Sequence, residues 1–261
     1  MIRGIRELMR FNIRASDGEI GEIKDAYFDD ENWAIRYLVV DTGRWLPGRK
    51  VLISPMAVHA LEWDAGRVGV GLTRQQVRDS PDIDTDKPVS RRHEETYLAY
   101  YGYPLYWGGA NLWGAAAYPV VPPPVSPEMR GWGARAMAGE SPAASRECAA
   151  SEDSHLRSTR DVSGYRIECL DGSVGHLEDF LFGDASWKVR YVVVDTKNWW
   201  PGTHVVIAPE WIDEVSWAER AAHVHVTRAA IKASPPYDPG KPMAEDYEAD
   251  LRRHYGRPLQ P

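Results

Sequence analysis

Short runs of alternating or β-branched apolar residues follow one another through the first seventy positions, and polar turns separate them. They predict strands at residues 10–14, 20–28, 33–41, 50–55, 58–63 and 67–72. The first fifteen residues are expected to lead into the sheet as one strand. Strands spaced by about 8–12 residues are typical of a small antiparallel barrel or sandwich, and closing the sheet removes its exposed edges.

Two helices are predicted after the strands. Thr73 stands where an N-cap is expected, and Pro81 ends the short helix that follows it. Residues 91–101 predict a longer helix, with Gly102 as its C-cap and Pro104 just beyond. The first fold unit is therefore predicted to be mainly β with a short C-terminal helix.

The same pattern occurs twice in the chain. Asp17 and Asp171 are 154 positions apart, and so are Asp41 and Asp195. About a third of the positions from 17 to 105 are identical in the second copy, and no gap is needed to align them. A repeat of this length indicates a duplicated domain and not a solenoid.

The composition between the copies differs from that of the copies themselves. Prolines cluster at residues 121–127, and glycine, alanine, serine and glutamate dominate the positions that follow. Such a segment is expected to be an extended and flexible tether, and the alternative is a proline-rich ligand for a partner groove. We predict two barrels at residues 1–107 and 159–261, joined by a low-complexity linker at residues 108–158.

Charge and composition narrow the classes of function. The 261 residues carry a formal net charge of −7, so no nucleic-acid partner is expected. No apolar run is long enough for a transmembrane segment. The two cysteines, Cys148 and Cys169, make no disulfide framework, which favours a reducing, cytoplasmic location. No phosphate-binding loop or hydrolase motif occurs, and no cofactor is expected.

Three sequence elements recur in both copies and carry a family resemblance. They are the Asp-Gly-x-x-Gly-x-x-x-Asp opening, the Arg-Tyr-x-Val-Val-Asp strand and a hydrophobic strand that ends in proline. The opening and the end of the Arg-Tyr strand contain Asp17, Gly18, Gly21, Asp25, Asp41, Asp171, Gly172, Gly175, Asp179 and Asp195. The Arg-Tyr strands are residues 36–41 and 190–195, and the proline-ended strands are residues 51–55 and 205–209.

Together these elements resemble the PRC-barrel family, which includes the cytoplasmic domain of the photosynthetic reaction-centre H subunit and a barrel of a bacterial ribosome maturation factor. The resemblance implies a small β-barrel that serves as a protein-interaction module. It also implies, as an alternative, an accessory role in a photosynthetic or membrane electron-transfer complex. The duplicated aspartates could serve acid–base chemistry, but we interpret them as turn formers whose carboxylates bond turn amides in both copies.

Histidines offer a candidate metal site in the second copy. His223 and His225 lie two positions apart on a predicted strand and so share one face, and His204 could approach them in the fold. Surface histidines without a metal are the simpler interpretation. The first copy has Gly69 and Gly71 in place of the strand histidines.

Aromatic residues cluster at the end of the first copy. Tyrosine and tryptophan combine an apolar ring with a polar edge, which protein interfaces favour. We therefore predict an interaction surface formed by Tyr97, Tyr100, Tyr101, Tyr103, Tyr106 and Trp107.

The sequence as a whole predicts a non-enzymatic protein-interaction or scaffold module made of two barrels. The alternative is a metal- or small-ligand-binding protein that uses the three histidines named above. The protein partner is not identified by the sequence. For the assembly, the two alternatives are packing of the barrels on each other, as an internal pseudo-dimer, and homodimerisation of the chain.

Overall fold

Strands dominate the computed structural model, which describes residues 1–83, 89–121, 155–196, 204–241 and 243–255. The described residues form two seven-stranded sheets and a few short helices. We refer to residues 1–121 as the first half and to residues 155–255 as the second half. The predicted mainly β class is confirmed.

Seven strands and three α-helices lie within the described residues of the first half. Its strands are β1 (Ile2–Gly4), β2 (Asn12–Ala15), β3 (Gly18–Asp29), β4 (Ala34–Asp41), β5 (Lys50–Ile53), β6 (Val58–Glu62) and β7 (Arg67–Val70). Its helices are α1 (Ile5–Leu8), α2 (Arg74–Arg78) and α3 (Arg91–Tyr101). Thr73 caps α2 by accepting from the amide of Gln76, and Gly102 ends α3 in the left-handed conformation, as the sequence predicted.

The second half repeats this order. Its strands are β8 (Leu156–Ser158), β9 (Arg166–Cys169), β10 (Gly172–Gly183), β11 (Val189–Asp195), β12 (His204–Ile207), β13 (Ile212–Ser216) and β14 (Ala221–Val224). Its helices are α4 (Thr159–Val162), α5 (Arg228–Lys232) and α6 (Glu245–Tyr255).

Both sheets have the same topology, and it differs from the closed antiparallel barrel that was predicted. The strand order is β5-β4-β3-β2-β7-β6 in the first sheet and β12-β11-β10-β9-β14-β13 in the second. Each contains one parallel pair, β2 with β7 and β9 with β14. Among the described strands, no hydrogen-bonded ladder joins the two ends of either order, so each sheet is open there.

The short first strand of each half belongs to the sheet of the other half. Strand β1 pairs antiparallel with β10, and β8 pairs antiparallel with β3. The prediction of one strand over the first fifteen residues is therefore wrong, because β1 joins the other sheet and α1 separates it from β2. Each half donates a strand and receives one.

The tips of two equivalent hairpins also meet across the junction of the halves. The amide of Ile35 donates to the carbonyl of Trp187 at 2.8 Å, and the amide of Val189 donates to the carbonyl of Trp33 at 2.6 Å. A shift of 154 positions converts one hydrogen bond into the other. Such reciprocal contacts define an isologous interface, as in a twofold-symmetric dimer. The two halves thus pack as an internal pseudo-dimer.

Parts of the predicted linker are packed against the halves. Trp113 is only 2% exposed, and residues 155–158 precede and form β8. Composition could not predict the packing of these residues, because their partners lie far away in the sequence. The rest of the predicted linker, including the proline run after residue 121, lies outside the described residues.

Among the described residues, no helix has both the length and the apolar character that a membrane span requires.

Candidate functional site

The aspartate that opens each repeated motif connects a turn to a helix. Asp17 accepts a hydrogen bond from the amide of Arg74 at 2.8 Å, and Asp171 accepts from the amide of Arg228 at 2.7 Å. These amides lie at the first residues of α2 and α5 and have no partner within their own helices. The carboxylates thus stabilise the same local structure in both halves.

The second glycine of each motif permits a close approach of two strands. A Cβ atom on Gly21 would lie 1.9 Å from the carbonyl oxygen of Asp41, and one on Gly175 would lie 2.2 Å from that of Asp195. Any side chain would separate β3 from β4, or β10 from β11. Gly18 and Gly172 have positive φ angles of 146° and 119° at the preceding turn.

Asp25 has a different role from the turn formation that was predicted. It is buried within β3, and its Oδ2 accepts from the Ser158 hydroxyl at 2.6 Å. Its Oδ1 accepts from the Thr159 hydroxyl at 3.1 Å and from the amide of Arg160 at 3.2 Å. These donors lie at the start of α4 in the other half. Asp25 therefore anchors the helix that follows the exchanged strand.

Asp179 makes the matching contact with fewer donors. Its Oδ1 accepts from the amide of Arg6 at 3.1 Å and from the amide of Phe180 at 2.8 Å. Gly4 and Ile5 stand where the second half has the two hydroxyl donors, so no side-chain hydroxyl reaches Asp179 from these positions. Burial raises the pKa of Asp179 to about 7, although the two amides oppose the shift.

The predicted aromatic surface is largely interior. Tyr97 and Tyr106 are 1% and 4% exposed, because α3 and the segment after it pack on the sheet of the first half. Of the six residues predicted, Tyr100 alone has an exposed side chain, at 41%. Tyr101, Tyr103 and Trp107 are partly buried. The cluster therefore cannot act as one continuous surface in this conformation.

The centre of this interior region is a buried arginine on β4. Arg36 and Asp29 are fully buried, and their Nη2 and Oδ2 atoms are 2.9 Å apart. Burial raises the pKa of Asp29, but the charge of Arg36 and the hydrogen bonds from Asn32 and Arg36 together hold it below its usual value. The guanidinium also donates to the carbonyl of Leu112 at 2.7 Å and lies over the rings of Tyr106 and Trp113, at 3.9 and 4.7 Å from their centroids.

The neighbouring tyrosine of β4 connects the sheet to α3. Tyr37 donates to the buried carboxylate of Glu94 at 3.2 Å, and Tyr106 donates to the same carboxylate oxygen. Burial and then the Glu94 charge raise the pKa of Tyr37 well above its usual value, so it stays protonated and donates. His155 Nε2 lies 3.4 Å from the other Glu94 oxygen. We call Arg36, Tyr37 and Glu94 the first cluster.

The second half contains the same three residue types 154 positions later. Tyr191 donates to Glu248 at 2.8 Å, and Arg190 donates to the same oxygen at 3.2 Å. We call Arg190, Tyr191 and Glu248 the second cluster. Burial raises the pKa of Glu248, but hydrogen bonds from Tyr191 and Arg252 and the nearby positive charges hold it below its usual value.

The environments of the two arginines differ. Gly183 stands where Asp29 pairs with Arg36, so the second cluster lacks that carboxylate. Arg36 makes two of the described cation–π contacts, whereas Arg190 makes none of them. The position that matches Tyr106 is Gln260, which has no aromatic ring.

A cleft of about 1310 Å³ lies beside the second cluster, where the two halves meet. Its wall combines the polar groups of Arg190, Glu248 and Lys188 with apolar groups. The Arg190 side chain is 24% exposed, in contrast to the fully buried Arg36. The apolar part of the wall includes Leu112, Tyr118, Val189, Pro209 and Met243.

Each of the three candidate histidines lies beside a different carboxylate. His223 Nε2 lies 3.1 Å from Glu219, and His225 Nδ1 lies 3.6 Å from Asp213. His204 Nε2 lies 2.7 Å from Glu178. The predicted set of three histidines is therefore wrong, because each ring faces a different carboxylate.

Within the described residues, a different set has the geometry to hold a cation. Potential ligand atoms of Glu178, Asp195 and His204 all lie within 4.8 Å of one another. Asp195 was predicted only as a motif residue. The first half has Lys24 and Lys50 in place of Glu178 and His204, so the arrangement is specific to the second half.

Comparison with known proteins agrees with the architecture of the first half. The model of the PRC-barrel domain family matches residues 3–68, so the chain contains a PRC-barrel domain. An uncharacterized protein of Deinococcus radiodurans is 32% identical over 78 residues, which are 30% of this chain and 28% of that protein. The chain thus spans less than a third of the length of this relative. The family match does not extend to the second half.

Glu94 and Glu248 are the site residues that sequence reasoning missed. Glu94 falls within the predicted helix of residues 91–101, and Glu248 is the identical residue 154 positions later. Applying the repeat spacing to the helices as well as the strands would have identified them.

Proposed function

We propose that the protein is a non-enzymatic protein-interaction module in which two PRC-barrel-like halves form one platform. The family match supports the first half as such a module. The second half is included because its strand order is the same. The cysteine content supports a cytoplasmic location as part of this proposal.

The observation that carries the proposal is the way the first half holds the segment after α3. Arg36 binds the carbonyl of Leu112 and stacks on Trp113, and the Trp113 indole donates to the carbonyl of Ser186 at 2.8 Å. Stacked arginine and tryptophan, with backbone hydrogen bonds around them, are typical of the centres of protein interfaces. The first half therefore already binds an aromatic segment of the same chain.

Affinity capture with the tagged full-length chain tests the proposal. The bait is incubated with native lysate of the source organism, and bound proteins are quantified by mass spectrometry against the tag alone. We expect at least one protein to be enriched reproducibly at a fixed ratio to the bait. Absence of any enriched protein, with the tag at either end of the chain, would overturn the proposal.

A second candidate function is cation binding at Glu178, Asp195 and His204. The close approach of their ligand atoms favours it, since carboxylates and imidazole are common zinc ligands. Elemental analysis and thermal unfolding with added zinc test it. We expect zinc to raise the unfolding temperature of the natural chain but not of a His204→Lys variant, which copies the residue of the first half. A metal-free protein that zinc does not stabilise excludes this function.

The accessory role in a photosynthetic or electron-transfer complex rests on resemblance alone. Nothing in the described residues adds support for it, and it is not part of the proposal.

A further inference from the structure

The first cluster and the second cluster are equivalent sites that differ in the described residues that contact their arginines. The site at Arg36 is filled by residues of the same chain, with the Trp113 ring over the guanidinium and the Leu112 carbonyl on its Nη1 atom. The Trp113 indole reaches across the junction to the Ser186 carbonyl. The site at Arg190 faces the cleft between the halves.

The cleft contains the counterparts of two groups that contact Trp113, the Arg36 guanidinium and the Ser186 carbonyl. Arg190 matches Arg36, and Asn32 matches Ser186 when the numbering is shifted by 154 positions. Both Arg190 and Asn32 line the same cleft. Glu248 is the single described residue that hydrogen-bonds to the Arg190 guanidinium. This bond uses the Nη2 atom, and a guanidinium carries further N–H donors that can bind a carbonyl group.

We propose that this cleft binds a tryptophan-bearing segment of a partner protein, in the manner in which the first half binds Leu112 and Trp113. The partner ring stacks on the Arg190 guanidinium, and the preceding backbone carbonyl accepts from it. The indole N–H donates to the carbonyl of Asn32. This inference specifies the partner chemistry of the proposed interaction module and rests on that function.

The walls of the cleft fit this type of ligand. Pro209 and Met243 supply apolar surface beside Arg190, while Lys188 and Glu248 supply charge of both signs. A guanidinium is attracted to the face of an indole ring, and more strongly where the pair is desolvated. A small anion would use the charge of Arg190 but would leave the apolar wall uncovered. The mixed lining therefore favours an amphipathic aromatic side chain.

One other occupant has to be distinguished. The chain itself contains Trp132, Gly133 and Ala134, which repeat the residue types of Trp113, Gly114 and Ala115. Trp132 lies outside the described residues. If it fills the cleft, a partner segment would compete with the chain itself.

Fluorescence anisotropy with the full-length chain tests the proposal. The probe is a labelled peptide with the sequence of residues 111–116, blocked at both ends. We expect saturable binding, and we expect replacement of the peptide tryptophan by alanine to weaken it at least about tenfold. Replacement by phenylalanine should weaken it several-fold, because the ring remains but the indole N–H is lost.

Two variants of the protein test whether the peptide binds in the cleft, and a third serves as the control. Arg190→Gln should weaken binding at least about tenfold, whereas Arg252→Gln, which also removes a cationic partner of Glu248, should leave it within about twofold. Ala185→Trp fills the exposed edge of the cleft and should also prevent binding, which keeps the test decisive if Arg190→Gln fails to fold.

Three results would overturn the proposal. They are the absence of saturable binding, binding that neither cleft variant weakens, and binding that appears only after Trp132→Ala. The last result would show that the chain itself occupies the cleft. If the peptide fails to bind but affinity capture recovers a partner, the module function stands and only the cleft assignment is lost. If capture also fails, both are lost.

Discussion

The backbone amide of Arg160 donates a hydrogen bond to the carboxylate of Asp25 at 3.2 Å, although 135 positions separate the two residues. The amide of Arg6 makes the equivalent bond to Asp179 at 3.1 Å. Each carboxylate lies in the long strand of one half and holds the helix that follows the exchanged strand of the other. The repeated motif therefore connects the halves as well as shaping each one.

Asp25→Ala should destabilise the protein by about 3 kcal/mol, because it leaves the donors of Ser158, Thr159 and Arg160 without their buried acceptor. Chemical denaturation followed by tryptophan fluorescence measures the change. Asp17→Ala is the matched control, since its carboxylate is exposed and bonds within the first half. A loss at Asp25 no larger than the loss at Asp17 would contradict the anchoring role.

The stability of the junction should depend on the protonation of Asp179. Its pKa is raised to about 7 from an ordinary value of 3.8, so the folded protein binds the proton more tightly than the unfolded chain. This contribution is fully present below pH 3.8 and is lost as the pH rises through 7. The charged neighbours Arg6 and Glu178 oppose each other in this shift.

Asp179→Asn should remove this dependence while keeping an oxygen acceptor for the amide of Arg6. The difference in unfolding free energy between the variant and the natural chain should grow in favour of the variant by roughly 1–3 kcal/mol between pH 5 and pH 8. Thermal unfolding across this range measures it. Parallel pH profiles for the two proteins would refute the assignment.

Arg10 adopts a backbone conformation that favours glycine. Its φ is 100°, whereas Gly164 occupies the matching position with a φ of 91°. Arg10→Gly should therefore stabilise the chain by about 1 kcal/mol, and Gly164→Ala should destabilise it by a similar amount. Nothing lies within 4 Å of a Cβ built on Gly164, so the second effect would come from the backbone alone. Equal unfolding temperatures for all three proteins would contradict this account.

Asp29→Asn should leave the Arg36 charge buried without its counter-ion. Both side chains are 0% exposed, and removing one partner of such a pair typically costs about 3–5 kcal/mol. Asp30→Asn is a suitable control, because its pair with Arg157 is partly exposed and should be worth about 1 kcal/mol or less. Denaturant titrations that show equal losses for the two variants would be inconsistent with a buried ion pair.

The sequence predicted local structure well because the signals were local. The strand of residues 33–41 was evident from its β-branched and aromatic residues, and β4 occupies residues 34–41. The caps at Thr73 and Gly102 follow from residue types that suit those conformations. The duplication was visible from identical residues at a fixed spacing.

The sequence could not predict which sheet receives β1 or β8. A three-residue strand carries no signal of its partner, and equivalent sheets offer it equivalent edges. The same limit explains why Tyr97 and Tyr106 were wrongly predicted to lie on a surface. Aromatic residues are enriched both in cores and at interfaces, so their presence alone does not distinguish the two. The packing of Trp113 on Arg36 depends on residues 77 positions apart and was likewise beyond a local pattern.

The exchange of β1 and β8 is the central claim, because the anchoring aspartates and the cleft beside Arg190 exist only if the halves are interlocked. A protease recognition sequence placed between residues 122 and 154 allows the chain to be cut once without touching a described residue. Size-exclusion chromatography coupled to light scattering then measures the mass of the cut protein. We predict that the two fragments stay together at the mass of the uncut chain, 29.4 kDa, and separate only in denaturant. Two separate folded fragments at micromolar concentration would contradict the account.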